Sequence, residues 1–341
     1  MKHIIDLKKY KIRTDLAIEA IDKNIKGIET KVYEEKNIKI TDVFVDKEGS
    51  KTIGKKEGKY ITIEFDDVTD YENAMDVKKV FNKELKKLMD YLNIKESDTC
   101  LVIGLGNQKS TPDSLGPLVI NDVIVTRHLF EIGNVDKNFR NVATFIPGVM
   151  GTTGLETSEI ILSLVNIFKP NFIVTIDALA SQSLDHVNKT IQMTDTGIHP
   201  GSGVGNSRKE ISSDTLNIPV IAVGVPTVVD AVTIVSDTIN YMFKHYSYSK
   251  KNINNPLNKL MILPNYFKDE ININKEDKQK LLGIVGTLNN SEIKELIYEV
   301  LTPIGYNLMV TPKEVDFVIE KLAKVIADGI NMTLHKKITK N

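Results

Sequence analysis

Cys100-Leu101-Val102-Ile103-Gly104-Leu105-Gly106-Asn107 opens with four apolar residues in a row and closes on a glycine turn. An unbroken apolar run of this length fits a strand covered on both faces, as in a parallel sheet flanked by helices. Three later runs repeat it: Val142 to Ile146, Phe172 to Ile176 and Val220 to Val225. Between them Ile160, Ile161, Leu164, Val165 and Phe168 recur at helical spacing, and Val232, Val235, Ile239, Met242 and Phe243 do so after the last. Alternating strands and helices predict an α/β fold, doubly wound around a mostly parallel sheet.

Upstream, Val77, Val80, Phe81, Leu85, Leu88 and Leu92 predict an amphipathic helix over Glu72 to Leu92. Residues 27–65 carry short β-rich stretches between charged, glycine-containing turns, which predicts an antiparallel appendage outside the main sheet. Residues 247–280, rich in Asn and Lys, predict an irregular surface loop. Near the end, Thr311-Pro312-Lys313-Glu314 has the form of a capping box before a helix with Val315, Val318, Ile319, Leu322 and Ile326 on one side.

Composition narrows the classes of function. Lys plus Arg (44) nearly balance Asp plus Glu (45) in 341 residues, so no overall field favours nucleic acid or an anionic membrane. No apolar run approaches the ~20 residues of a spanning helix, and Met1 to Tyr10 lack a signal-peptide core. A cytoplasmic protein is expected. The single cysteine, Cys100, excludes a disulfide framework and a multi-cysteine zinc site, and its place in a strand marks it as an inert core thiol.

In an open α/β sheet, ligands bind beyond the carboxyl ends of the strands. Two aspartates are placed to meet there. Asp113 lies on the loop between Gly104-Leu105-Gly106-Asn107 and the next helix; Asp177 is expected at the tip of the strand from Phe172. Two close carboxylates resist ionising together, so one holds a proton near neutral pH, and the pair can serve as base and acid for peptide hydrolysis. The competing reading makes each a turn former or helix cap. The two glycines at 104 and 106 do not make a dinucleotide fingerprint, because the third position holds Lys109. Gly197 to Asn206 carries four glycines around His199, which suits either an active-site loop, an anion-binding nest or a plain connection. His128 and His186 are expected to be surface or packing residues.

Leu101 to Pro117, Ile146 to Ser158, Ile173 to Ala180, Gly197 to Ile211, Ile218 to Ala231 and Leu308 to Asp316 together resemble the germination protease family, over Arg13 to about Asn331. More distantly, Gly104 to Asn107, Asp113 and Asp177 are similar to the turn and acidic pair of hydrogenase maturation endopeptidases. The resemblance implies a homotetrameric endopeptidase of the forespore and spore core that degrades small acid-soluble spore proteins. It implies Asp113 and Asp177 as the catalytic pair, supported by Gly106, Asn107 and His199, with no cofactor. It also implies cleavage after an acidic residue and before a hydrophobic residue followed by Ala. Thr14-Asp15-Leu16-Ala17 fits that rule, although Ile12 stands where an acidic residue is preferred. Self-cleavage between Asp15 and Leu16 is therefore expected, dividing a propeptide, 1–15, from a single peptidase domain, 16–341. Two alternatives stay open: a metal-dependent peptidase that adds His199 to the acidic pair, and a non-catalytic anion-binding α/β module.

Overall fold

The computed structural model describes residues 15–20, 25–133, 135–199, 209–254, 273–301 and 308–338. The strands are β1 (Ile28–Glu35), β2 (Ile38–Val45), β3 (Gly58–Glu64), β4 (Cys100–Gly104), β5 (Val142–Phe145), β6 (Phe172–Ser181), β7 (Thr190–Thr194), β8 (Val220–Asp230) and β9 (Met309–Val310). The helices are α1 (Lys47–Ile53), α2 (Tyr71–Tyr91), α3 (Leu115–Asp122), α4 (Arg127–Ile132), α5 (Met150–Thr153), α6 (Thr157–Phe168), α7 (Ser213–Leu216), α8 (Ala231–Asn252), α9 (Lys275–Leu282), α10 (Asn290–Leu301) and α11 (Val315–Leu334). By its contacts the described chain divides into two compact units, one within residues 13–228 and 311–341, the other within 229–310. The sequence carries no signal of a boundary at 229.

The larger unit is built on one sheet in the order β1-β2-β3-β7-β8-β6-β4-β5. The four apolar runs become β4, β5, β6 and β8. β4 lies parallel to both β5 and β6. β6 and β8 advance together, since Ile173 N–H donates to the Pro219 carbonyl and the Thr175 hydroxyl to that of Ile221. The other half, β1-β2-β3-β7 and the junction of β7 with β8, is antiparallel. The β-rich N-terminal region is therefore present, but it is not separate from the main sheet as the sequence predicts: β3 pairs with β7 over Tyr60–Glu64. Every position of β7 is buried, so its unpaired edge would strand backbone groups away from water, and β3 supplies their partners.

Alternation along each strand divides two cores. Cys100, Val102, Phe172, Val174, Ile176, Ile191 and Met193 face α2, α3 and α11, and Ile38, Ile40, Ile61 and Ile63 continue that face into the antiparallel half. Leu101, Ile103, Leu105 and Ile173 face α6 and α7 on the other side. Beneath the antiparallel half of that second face, Val43, Val45 and Tyr60 pack around Ala17. Helix α2 starts where the Asp70 carboxylate accepts from Asn73 N–H. It meets α11 so closely that a Cβ at Gly329 would lie 2.3 Å from the Phe81 ring. Cys100 is fully buried and its thiol pKa is raised by desolvation, as an inert core thiol requires.

Two local expectations are overturned. Thr311 does not cap α11: its hydroxyl donates to the Thr227 carbonyl on β8, and Glu314 takes the capping position without a side-chain bond. The bond draws this hydroxyl to the β8 backbone instead of over the first-turn amides. Residues 247–252 finish α8 and 275–280 lie in α9, where irregular chain is predicted. Lys250 grips Asp277 at 2.7 Å within the smaller unit. There Val232, Ile293, Ile297 and Tyr298 form a core of their own, and β9 pairs with the last two residues of β8. No helix among the described residues is long and apolar enough to cross a membrane.

Candidate active site

Asp113 is fixed by its loop. After β4 the chain turns at Gly106, whose φ of +112° is a conformation that side chains disfavour. Asn107 N–H donates to the Asp113 carbonyl at 2.9 Å, and the Asn107 side chain accepts from Lys109 N–H. From the far side the Thr227 hydroxyl on β8 donates to the Pro112 carbonyl at 2.6 Å. Gly106 and Asn107 thus shape the turn that presents Asp113. Gly116 lets α3 reach the sheet: a Cβ there would stand 2.2 Å from the Leu105 carbonyl and 2.7 Å from that of Ile176.

Asp177 follows Ile176, the last β6 residue paired with β4. It is not at the strand tip, as predicted; β6 continues to Ser181. The extension is possible because β8 runs alongside, with Gly224 leaving room for Leu179, and because Ala180 finds a further partner in Asp15. Asp177 is 7% exposed, and its carboxyl accepts from Ala178 N–H at 2.9 Å. Its pKa is raised well above the ordinary value by desolvation first, then by the negative charges of Asp113 and Asp15. The two predicted aspartates therefore lie close enough for the charge of Asp113 to make Asp177 hold its proton more tightly than an ordinary carboxyl does.

The third charge belongs to Asp15, in the N-terminal segment (the leader, described over residues 15–20). Asp15 N–H donates to the Ala180 carbonyl at 3.1 Å, and Ala180 N–H donates to the Asp15 carboxylate at 2.9 Å. Lys55 feels the charges of both Asp15 and Glu19. Leu16 and Ala17 are wholly buried. Gln192, on β7, bridges the Asp15 carbonyl and Ala17 N–H. Glu19 accepts from the Ser181 hydroxyl and Gln182 N–H, and pairs with His186 Nδ1 at 2.7 Å. Residues 1–14, with Ile12 among them, lie outside the described residues.

His186 is thus no mere surface or packing residue. Its pKa is raised, chiefly by the bond to Glu19, with Glu64 and Asp185 adding to the effect against desolvation. Its grip on Glu19 is fully present below about pH 6.5, the ordinary histidine value, and is lost as pH rises through the raised one. Opening of residues 15–20, measured by hydrogen exchange, should rise with pH in that window by roughly tenfold, since a charged hydrogen bond contributes about 1.5 kcal/mol. His186→Gln should abolish the dependence.

His199 lies elsewhere. Its Nε2 is 3.7 Å from Glu210, which also binds Lys56. Among the described residues no three His, Cys, Asp or Glu side chains are gathered to hold a metal, so His199 does not complete such a set with Asp113 and Asp177. The glycines at 201, 203 and 205 lie outside the described residues. Sequence reasoning missed Lys55, Ala180, His186 and Gln192. Gln192 carries a faint signal, a large amide inside a short β stretch; the others carry none, because their roles come from strand neighbours distant in sequence.

Asp177 thus feels the charges of Asp113 and Asp15, and comparison with known proteins gives the class of the protein, a peptidase. The germination protease profile matches residues 5–341. Germination proteases of Bacillus licheniformis and Bacillus thuringiensis are 48% and 47% identical over 360 and 357 residues; these alignments span 100% and 99% of this chain and 98% and 97% of theirs. The chain belongs to the germination protease family. A NiFe hydrogenase maturation protease from Thermococcus kodakarensis KOD1 covers 42% of this chain and 80% of its own, with 16% identity and a TM-score of 0.28.

Proposed function

We propose that this peptidase is made as a zymogen, cuts itself between Asp15 and Leu16, and degrades small acid-soluble spore proteins in the spore core through Asp113 and Asp177. The observation that carries the reading is the Asp15–Leu16 bond itself: Ala180 and Gln192 hold it, and the Asp15 charge reaches Asp177.

In this mechanism ionised Asp113 takes a proton from water, whose oxygen attacks the Asp15 carbonyl carbon. The carbonyl electron pair moves onto oxygen. When the intermediate collapses, the C–N bond breaks and protonated Asp177 gives its proton to the Leu16 nitrogen. The products are a carboxyl group on Asp15 and an amine on Leu16; proton exchange with solvent restores the pair. Substrates would enter by the leader's route, with an acidic residue near Lys55 and Ala180 N–H and a hydrophobic residue and Ala in the sites of Leu16 and Ala17. The same reading has the family's homotetramer as the working form, without a cofactor.

Mass spectrometry of the N-terminus tests this. The purified chain should lose 15 residues on incubation and begin at Leu16, whereas Asp113→Asn should keep its full mass. Self-cleavage by Asp113→Asn at the parental rate would remove Asp113 from the chemistry.

A further inference from the structure

We infer that Gln192 is a catalytic residue of this site, the group that orients the scissile carbonyl and stabilises the charge developing on its oxygen; the inference rests on the reading of Asp15–Leu16 as the bond cut.

Gln192 is 5% exposed, in the middle of β7, between Thr62 on β3 and Gly224 on β8. Its side chain rises from the face of the sheet that packs Ala17 through Val43, Val45 and Tyr60. Nε2 donates to the Asp15 carbonyl oxygen at 3.1 Å, and Oε1 accepts from Ala17 N–H at 2.6 Å. The partners fix the orientation of the amide: the Ala17 N–H needs an acceptor and the Asp15 oxygen needs a donor, so only one of the two placements of the amide serves both.

One side chain therefore straddles the bond, holding the atom before it and the residue beyond it. When water adds, the carbonyl π pair becomes an oxyanion at the atom that Nε2 faces. At 3.1 Å the contact has room to shorten as charge builds, so it is stronger in the transition state than in the ground state. The rigid sheet holds the donor without reorganisation.

Gln192→Glu separates the two contacts. The introduced carboxylate can still accept from Ala17 N–H but offers no donor to the Asp15 oxygen, and when protonated it regains one. In the full-length chain the first-order rate of losing residues 1–15 should fall by about 10²- to 10³-fold at neutral pH, the usual effect of removing one oxyanion donor. Ala17 N–H should stay protected from hydrogen exchange, and the rate should recover toward the parental value as pH falls through the pKa of the new carboxyl. A merely structural glutamine would give lost protection and no recovery.

Gln192→Met, nearly the same length and without a donor, should be equally slow at every pH and serves if the first variant does not fold. Parental rates in either variant would overturn the assignment. If Asp177→Asn also cleaves itself normally, the two-aspartate reading falls instead; if that variant is inert while Gln192→Glu is unaffected, only the role of Gln192 falls.

Discussion

Asp177→Asn should leave the Asp15–Leu16 bond intact, lower peptide cleavage by about 10³-fold or more, and yet make the protein harder to unfold at neutral pH. Burial and the charges of Asp113 and Asp15 raise the Asp177 pKa in the folded chain, while the unfolded chain keeps the ordinary value of about 3.9. A carboxyl that binds its proton more tightly when folded favours the fold at low pH. That advantage is lost as pH rises from the ordinary value through the raised one. Asparagine keeps the shape and does not titrate, so the variant should gain about 0.5–2 kcal/mol near neutrality, the range of substitutions that relieve a functional strain. Unfolding midpoints at pH 4 and pH 7 measure this: the gain should be concentrated at pH 7. A variant less stable than the parent at pH 7 would show that folding does not raise the Asp177 pKa.

Gly106→Ala should be nearly as damaging to activity without touching an acid. An added Cβ would stand 2.1 Å from the Asp113 carbonyl oxygen and 3.1 Å from its carboxylate, at a φ of +112°. The backbone strain costs about 1–3 kcal/mol, and relief must come from moving the loop that carries Asp113. A displacement of ~1 Å in a reacting group is worth roughly 10²-fold in rate. Self-cleavage and peptide hydrolysis should fall by at least that factor while helical content is kept. Gly151→Ala is the control, because a Cβ there meets nothing within 4 Å and the backbone is ordinary. Equal rates for the two variants would mean that the Gly106 turn does not position the acid.

Much of this architecture is legible in the chain because continuous apolar runs have few solutions. Cys100 to Leu105 and Phe172 to Ile176 must be covered on both faces, and neighbouring parallel strands then bring Asp113 and Asp177 to the same end of the sheet. The antiparallel half is legible as strands but not as part of that sheet. What joins them is the pairing of Tyr60–Glu64 with Thr190–Thr194, a backbone interaction that polar and apolar side chains allow alike. The same limit hid the leader's contacts. Gln192 and His186 look ordinary until β7 and the end of β6 are placed beside residues 15–20, more than 160 positions away in the chain. Thr311 misleads for the opposite reason, its local pattern being sound and its tertiary alternative better.

Ala180 grips Asp15 by amide and carbonyl together, three positions along β6 from Asp177. A strand's rise is about 3.3 Å per residue, so the spacing works as a measuring stick of roughly 10 Å with the acid at one end and a clasp at the other. A polypeptide sliding by one residue would turn its side chains to the opposite face and take both the carboxylate and the amide away from the clasp. In the proposed self-cleavage, the place of the cut would then depend on the Asp15 amide and carboxylate being held together at Ala180, and lengthening this stretch of strand by one residue should shift the point of cleavage rather than simply slow it.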